Sequence, residues 1–230
     1  MKKKITLLAI ILMVYVASAS TMDANLLKAA ENGNQNEARE ALKLGADPEA
    51  RDRFNGETAL IKAIKSDSPD LIKMLLENEV KADIETADNE GTTVLIHAIL
   101  RNDNRIFKLI IDRKINLDRP DRRGVTPLMH ALAEKNEEAV KMLIDKGADI
   151  FVKDCNGASA LLYAVANDLL QSVTLLLSKG ARKFESDRFG YDSFSLAERT
   201  GNHEILGLLK GNSHANRQYA ENPLLKTGSR

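Results

Sequence analysis

Gly124-Val125-Thr126-Pro127-Leu128, with Ala131 three residues further on, is the stretch whose reading decides this fold. Gly124 can take a positive φ, Thr126 can cap a helix with its hydroxyl, and Pro127 suits the first helical position because its missing N–H is not needed there. The stretch is therefore a tight turn that opens a short helix. Leu128 and Ala131 fall on one face of that helix, and the small alanine lets a second helix approach closely. Ala139, Val140, Leu143 and Ile144 recur at helical spacing and supply the second helix's buried stripe, and Gly147 ends it.

The same pattern returns along the chain. Turn glycines stand at Gly56, Gly91, Gly124, Gly157 and Gly190, separated by 35, 33, 33 and 33 residues. Helix alanines keep the beat at Ala63, Ala98, Ala131, Ala164 and Ala197, as do the apolar pairs Leu75-Leu76, Ile110-Ile111, Leu143-Ile144 and Leu176-Leu177. A unit of a turn and two short helices has too little interior to be stable alone, so neighbours must stack and share one core.

On these residues the chain resembles the ankyrin repeats, over roughly residues 23–210, with residues 121–149 carrying the pattern best: Gly124, Thr126-Pro127-Leu128, Ala131, Leu143 and Gly147-Ala148-Asp149. The fold expected is all-α, a solenoid of helix-turn-helix units joined by β-hairpin-like loops. About six units are expected, capping ones included, near residues 23–51, 52–86, 87–120, 121–153, 154–186 and 187–210. Residues 211–230 are polar, lack helical periodicity and read as a flexible tail. The chain departs from the family at the histidine that usually follows Thr-Pro-Leu. Ile61, Ile96, Met129, Leu162 and Ser195 stand there, while His97 and His130 sit one residue later. The departure leaves more of the stacking to apolar contact. The glycine that ends the second helix is also missing near Val80 and Lys114.

The resemblance implies a non-catalytic protein-interaction scaffold that binds its partner on a concave strip of hairpin tips and first helices. Carried over position by position, the strip contains Phe54, Glu57, Asn89, Glu90, Arg122, Arg123, Asn156, Arg188, Phe189 and Tyr191, with Thr92, Val125, Cys155 and Ala158 between them. Arg, Phe and Tyr are types that anchor interfaces. The partner expected is another protein, of unspecified identity, and the chain itself is expected to be a monomer.

The residues offer little other chemistry. Asp154-Cys155-Asn156-Gly157 and Asp88-Asn89-Glu90-Gly91 begin like calcium loops, but the twelfth positions hold Val165 and Ile99 where a bidentate glutamate is needed. No helical zinc-binding His pair, phosphate cradle or nucleophile elbow is present, so no enzyme and no cofactor are expected. Cys155 is the single cysteine, which excludes an intramolecular disulfide. His97 and His130 share one register position and read as half-exposed helix residues, since no recurring carboxylate or cysteine stands beside them in sequence. An alternative function is an exported stress-related protein that binds a metal or small molecule through Cys155 or the His97/His130 pair.

Basic and acidic residues number 33 each, so there is no excess charge to hold a phosphate backbone, and nucleic acid is not an expected partner. Residues 1–19 have the layout of a secretory signal: Lys2-Lys3-Lys4, an apolar run over residues 5–16, and Ala17-Ser18-Ala19 as the cleavage site. Cleavage after Ala19 is expected, giving a periplasmic or secreted protein with no membrane segment left. It removes three lysines and leaves 30 basic against 33 acidic residues, a formal charge of about −3.

Overall fold

The computed structural model describes residues 20–77 and 80–211; the expected signal segment, and the expected tail beyond Gly211, lie outside the described residues. Two compact units divide between Asn116 and Leu117. The first contains α1 (residues 20–31), α2 (Gln35–Lys43), α3 (Ala59–Lys65), α4 (Pro69–Leu76), α5 (Val94–Leu100) and α6 (Asn104–Ile111). The second contains α7 (Pro127–Ala133), α8 (Glu137–Asp145), α9 (Ala160–Ala166), α10 (Leu170–Ser178), α11 (Ser193–Thr200) and α12 (His203–Leu209). The architecture is all-α, a helical repeat solenoid. Among the described residues the only β pairing is two isolated bridges, Ala87 with Thr93 and Lys153 with Ser159.

The repeat around α7 shows how sequence becomes structure. Thr126 Oγ1 accepts the Met129 N–H at 3.3 Å, and Pro127 takes the first helical position. Seven residues later the helix stops at Glu134 and Lys135, and Lys135 turns the chain with φ of 56°. Asn136 then caps α8, its Oδ1 accepting the Ala139 N–H at 3.0 Å. Both helices of the pair bury the stripe the sequence predicts: Leu128, Ala131, Ala139, Val140, Leu143 and Ile144 are all buried. Each large apolar side chain so buried contributes roughly 1.5–3 kcal/mol.

Within the second unit α7 packs on α8 and α9, α9 on α10 and α11, and α10 on α8 and α12. Within the first, α3 packs on α4 and α5, and α2 lies against α4. Ala63, Ala98, Ala131, Ala164 and Ala197 are each fully buried, which is why a larger residue does not interrupt the beat. The turn joining the two helices of a pair repeats one left-handed residue: Gly33, Asp67, Asn102, Lys135, Asp168 and Gly201, with φ between 54° and 71°. Four of the six are not glycine, so this position was invisible as a glycine pattern.

Acidic side chains also link successive loops. In the first unit Glu49 Oε1 accepts the Asp83 N–H (2.7 Å) and Glu85 Oε1 that of Asn116 (2.6 Å), while Asp23 Oδ1, on α1, accepts the Asp47 N–H (2.8 Å). In the second, Asp118 Oδ1 accepts the Asp149 N–H (2.7 Å). One repeat later Phe151 replaces the acid, and the Arg182 guanidinium lies over its ring at 5.5 Å.

Candidate hairpin-tip interface

Each hairpin tip is built around one aspartate. In the repeat at residues 121–125, Asp121 N donates to Val125 O (3.1 Å) and Gly124 N to Asp121 O (3.0 Å), closing the loop. Asp121 Oδ1 accepts the N–H groups of Arg123 (2.8 Å) and Val125 (3.0 Å), plugging the turn from inside. Asp88 Oδ1 does the same for Glu90 and Thr92, Asp154 Oδ1 for Asn156 and Ala158, and Asp187 Oδ1 for Phe189 and Tyr191, all between 2.8 and 2.9 Å. Glycine is required at Gly124: its φ is 77°, and a Cβ there would sit 2.8 Å from the Cys155 nitrogen.

The second carboxylate oxygen ties the tip to the first helix of its repeat. Asp88 Oδ2 lies 3.0 Å from His97 Nε2, and Asp121 Oδ2 lies 3.1 Å from His130 Nε2. The Tyr163 hydroxyl donates to Asp154 Oδ2 at 3.0 Å, and Lys62 Nζ lies 3.1 Å from Asp52 Oδ2. Lys62, His97, His130 and Tyr163 share one register position, so a single structural link is made by four residue types. The expectation of half-exposed histidines is thereby corrected: His97 is 8 % and His130 7 % exposed, because each is drawn under its own hairpin by the aspartate nine residues earlier. That recurring nine-residue spacing of Asp before His was the available signal.

The electrostatics follow from burial. Burial holds His97 and His130 below the ordinary histidine value in spite of the facing carboxylates. Tyr163 is pushed up to about 12 by burial, with the adjacent Asp154 carboxylate acting in the same direction. For Lys62 burial opposes the charge, but Asp52, Glu31 and Glu57 outweigh it and raise its pKa. Asp121 is buried too, yet the N–H groups of Val125 and Arg123 and the His130 ring keep it below its ordinary range.

Neighbouring tips are joined through the backbone. Cys155 N donates to Arg123 O (2.9 Å) and Arg188 N to Asn156 O (2.8 Å) in the second unit, and Asn89 N to Asn55 O (2.8 Å) in the first. Side chains reinforce the row: the Arg188 guanidinium donates to Cys155 O, Asn89 Nδ2 donates to Phe54 O at 3.2 Å, and Arg123 Nη2 reaches Asp121 Oδ2 at 3.2 Å.

The predicted strip residues divide accordingly. In the first unit Phe54, Asn89 and Glu90 are exposed at the tips, Phe54 at 94 %. In the second, Arg122, Arg123, Cys155, Asn156, Arg188 and Phe189 are exposed, Phe189 at 68 %, and Tyr191 is half-buried with the Arg199 guanidinium 5.3 Å above its ring. Glu57 does not belong to the exposed set. It is 4 % exposed because Lys65 donates to its Oε1 and Lys62 Nζ lies 3.7 Å from its Oε2, folding the side chain inward. Val125 is buried as well. Arg199, absent from the sequence-derived strip, joins it through Tyr191.

His97 and His130 each spend Nε2 on an aspartate, and Cys155 Sγ faces Arg122 O at 4.0 Å. Among the described residues no group of three or more His, Cys, Asp or Glu side chains is placed to hold a metal ion, and no helix is long and apolar enough to cross a membrane.

The family described as ankyrin repeats, in a model of three copies, matches residues 26–121, 79–154 and 101–187. No curated protein matches the chain. Repeats of this family are generally protein–protein interaction modules, and the proteins that carry them are usually non-catalytic scaffolds.

Proposed function

The chain belongs to the ankyrin-repeat family, and from that premise we propose that it is a non-catalytic scaffold, exported to the periplasm or beyond, that binds another protein through the hairpin tips of its second unit. The observation that carries this reading is the construction of the tips. Asp121, Asp154 and Asp187 are spent on the turns, so Arg122, Arg123, Arg188 and Phe189 are displayed outward on a hydrogen-bonded row. Side chains held in place before binding lose less freedom on association, and Arg and aromatic residues carry much of the energy of protein interfaces. Export rests on the basic, apolar and small-residue segments of residues 1–19.

Affinity capture from the exporting compartment tests the binding claim. The full chain should retain a partner protein that is lost when Arg122, Arg123, Arg188, Phe189 and Tyr191 are changed jointly to alanine. Retention of the same partner by both forms would eliminate this face. Mass spectrometry of the exported protein tests processing, with a mature end at Ser20 expected and an intact Met1 contrary to it.

A further inference from the structure

We propose that the tips of the second unit select an acidic protein segment, one that offers carboxylates to Arg122, Arg123 and Arg188 and an apolar side chain to Phe189. This rests on the protein-binding reading above and specifies the chemistry of its partner.

The charge on these hairpins is sorted by direction. Over residues 119–126, 152–159 and 185–192, the charged residues that are exposed are Arg119, Arg122, Arg123, Lys153 and Arg188, all cationic. The same stretches contain Asp121, Asp154, Glu185, Asp187 and Asp192, and none of these is exposed. Each has a structural task. Asp121, Asp154 and Asp187 hold the turns from inside, Glu185 pairs with Arg182 (2.8 Å) and Lys153 (3.0 Å), and Asp192 caps α11 through the Ser195 N–H (2.8 Å). A surface with as many acids as bases in sequence therefore shows a partner mainly its guanidinium groups. In the first unit the tip at residues 51–57 is sorted in the same way, with Arg51, Arg53 and Phe54 exposed and Asp52 and Glu57 not, whereas at the next tip Glu90 is exposed beside Asn89 and the sorting is lost.

Two of the arginines are also aimed. Arg123 is anchored on Asp121 Oδ2 and Arg188 on Cys155 O, which leaves the remaining guanidinium N–H groups in a fixed fork suited to a carboxylate. Phe189 follows Arg188 directly, and Tyr191 with Arg199 above it borders the same tip. Three arginines beside an exposed phenylalanine suit a short acidic segment with one apolar anchor. A nucleic acid is disfavoured, because the chain as a whole has no basic excess to attract a polyphosphate.

The experiment is selection of a random peptide display library on the purified full chain, followed by affinity measurement of the selected peptides at low and high salt. The measurements are repeated on Arg122→Glu/Arg123→Glu/Arg188→Glu and on Phe189→Ala, with a single-stranded oligonucleotide as the control probe. Unchanged circular dichroism and urea midpoints keep both variants comparable with the parent, the substituted side chains being exposed. Selected peptides should be rich in Asp and Glu around one apolar residue, weaken with salt, and lose roughly tenfold or more in affinity on charge reversal. Neutral or basic peptides that respond to Phe189→Ala but not to charge reversal would overturn the acidic-partner inference and leave the binding face standing. Selected peptides affected by neither variant would overturn both. Tighter binding of the oligonucleotide, lost on charge reversal, would overturn the choice of a protein partner.

Discussion

His130 Nε2 lies 3.1 Å from Asp121 Oδ2, and the opposite oxygen of the same carboxylate accepts two backbone N–H groups of the hairpin. One buried side chain thus fixes the tip and joins it to α7. Asp121→Ala should cost about 2–3 kcal/mol, because it strands the Arg123 and Val125 N–H groups and the imidazole at once. Asp121→Asn, which keeps an acceptor at Oδ1, should cost less. Urea melts of the two variants check the order, and equal losses would show that the turn bonds contribute little.

Stability should fall with acidification through the histidine range. Burial holds His97 and His130 below the ordinary value of 6.5, so the unfolded chain takes up protons before the folded one does. The unfolded state therefore binds more protons below about pH 6.5, and stability drops until the folded-state values are passed. Asp121 acts in the same direction at lower pH, its contribution being present above its ordinary 3.8 and lost as pH falls through its depressed folded value. Urea midpoints should decline from about pH 7.5 to about pH 5, and His130→Gln should flatten part of that slope. A midpoint that rises over this interval would reverse the sign.

Lys135 occupies the left-handed turn between α7 and α8 with φ of 56°, a conformation that costs an L-residue roughly 1–2 kcal/mol. Lys135→Gly should raise stability by about 1 kcal/mol after the greater chain entropy of glycine is deducted. Thermal unfolding would register the gain. A lower melting temperature would mean that the lysine side chain contributes more than its backbone costs.

Leu128 is 1 % exposed, between α7 and its neighbours. Leu128→Ala should lose roughly 2–5 kcal/mol, as truncations in close-packed cores do. A denaturation curve unchanged from wild type would refute its place in the core.

The frame was legible because burial leaves a periodic trace. Ala63, Ala98, Ala131, Ala164 and Ala197 recur since nothing larger fits between stacked helices, and the turn glycine of Gly124 recurs since each copy takes a positive φ, from 73° at Gly56 to 82° at Gly190. The link from tip to helix was hidden, because Lys62, His97, His130 and Tyr163 perform one task with different chemistry and so repeat by position only. For the same reason the turn at Asp67, Asn102, Lys135 and Asp168 has no glycine to betray it. Glu57 was misplaced because its register position was read as outward, whereas its counterparts Thr92, Ala158 and Tyr191 are half-buried and Val125 is buried, and Glu57 itself is held in by ion pairs with Lys62 and Lys65. The outward sorting of charge needed the hydrogen bonds of each aspartate, which composition conceals.

Amide hydrogen exchange of the full chain, with and without its captured protein partner, tests most directly whether the hairpin tips are the binding face. Added protection should appear at residues 121–126, 154–158 and 187–191. Protection confined to the second helices α8 and α10, with the tips unchanged, would contradict it.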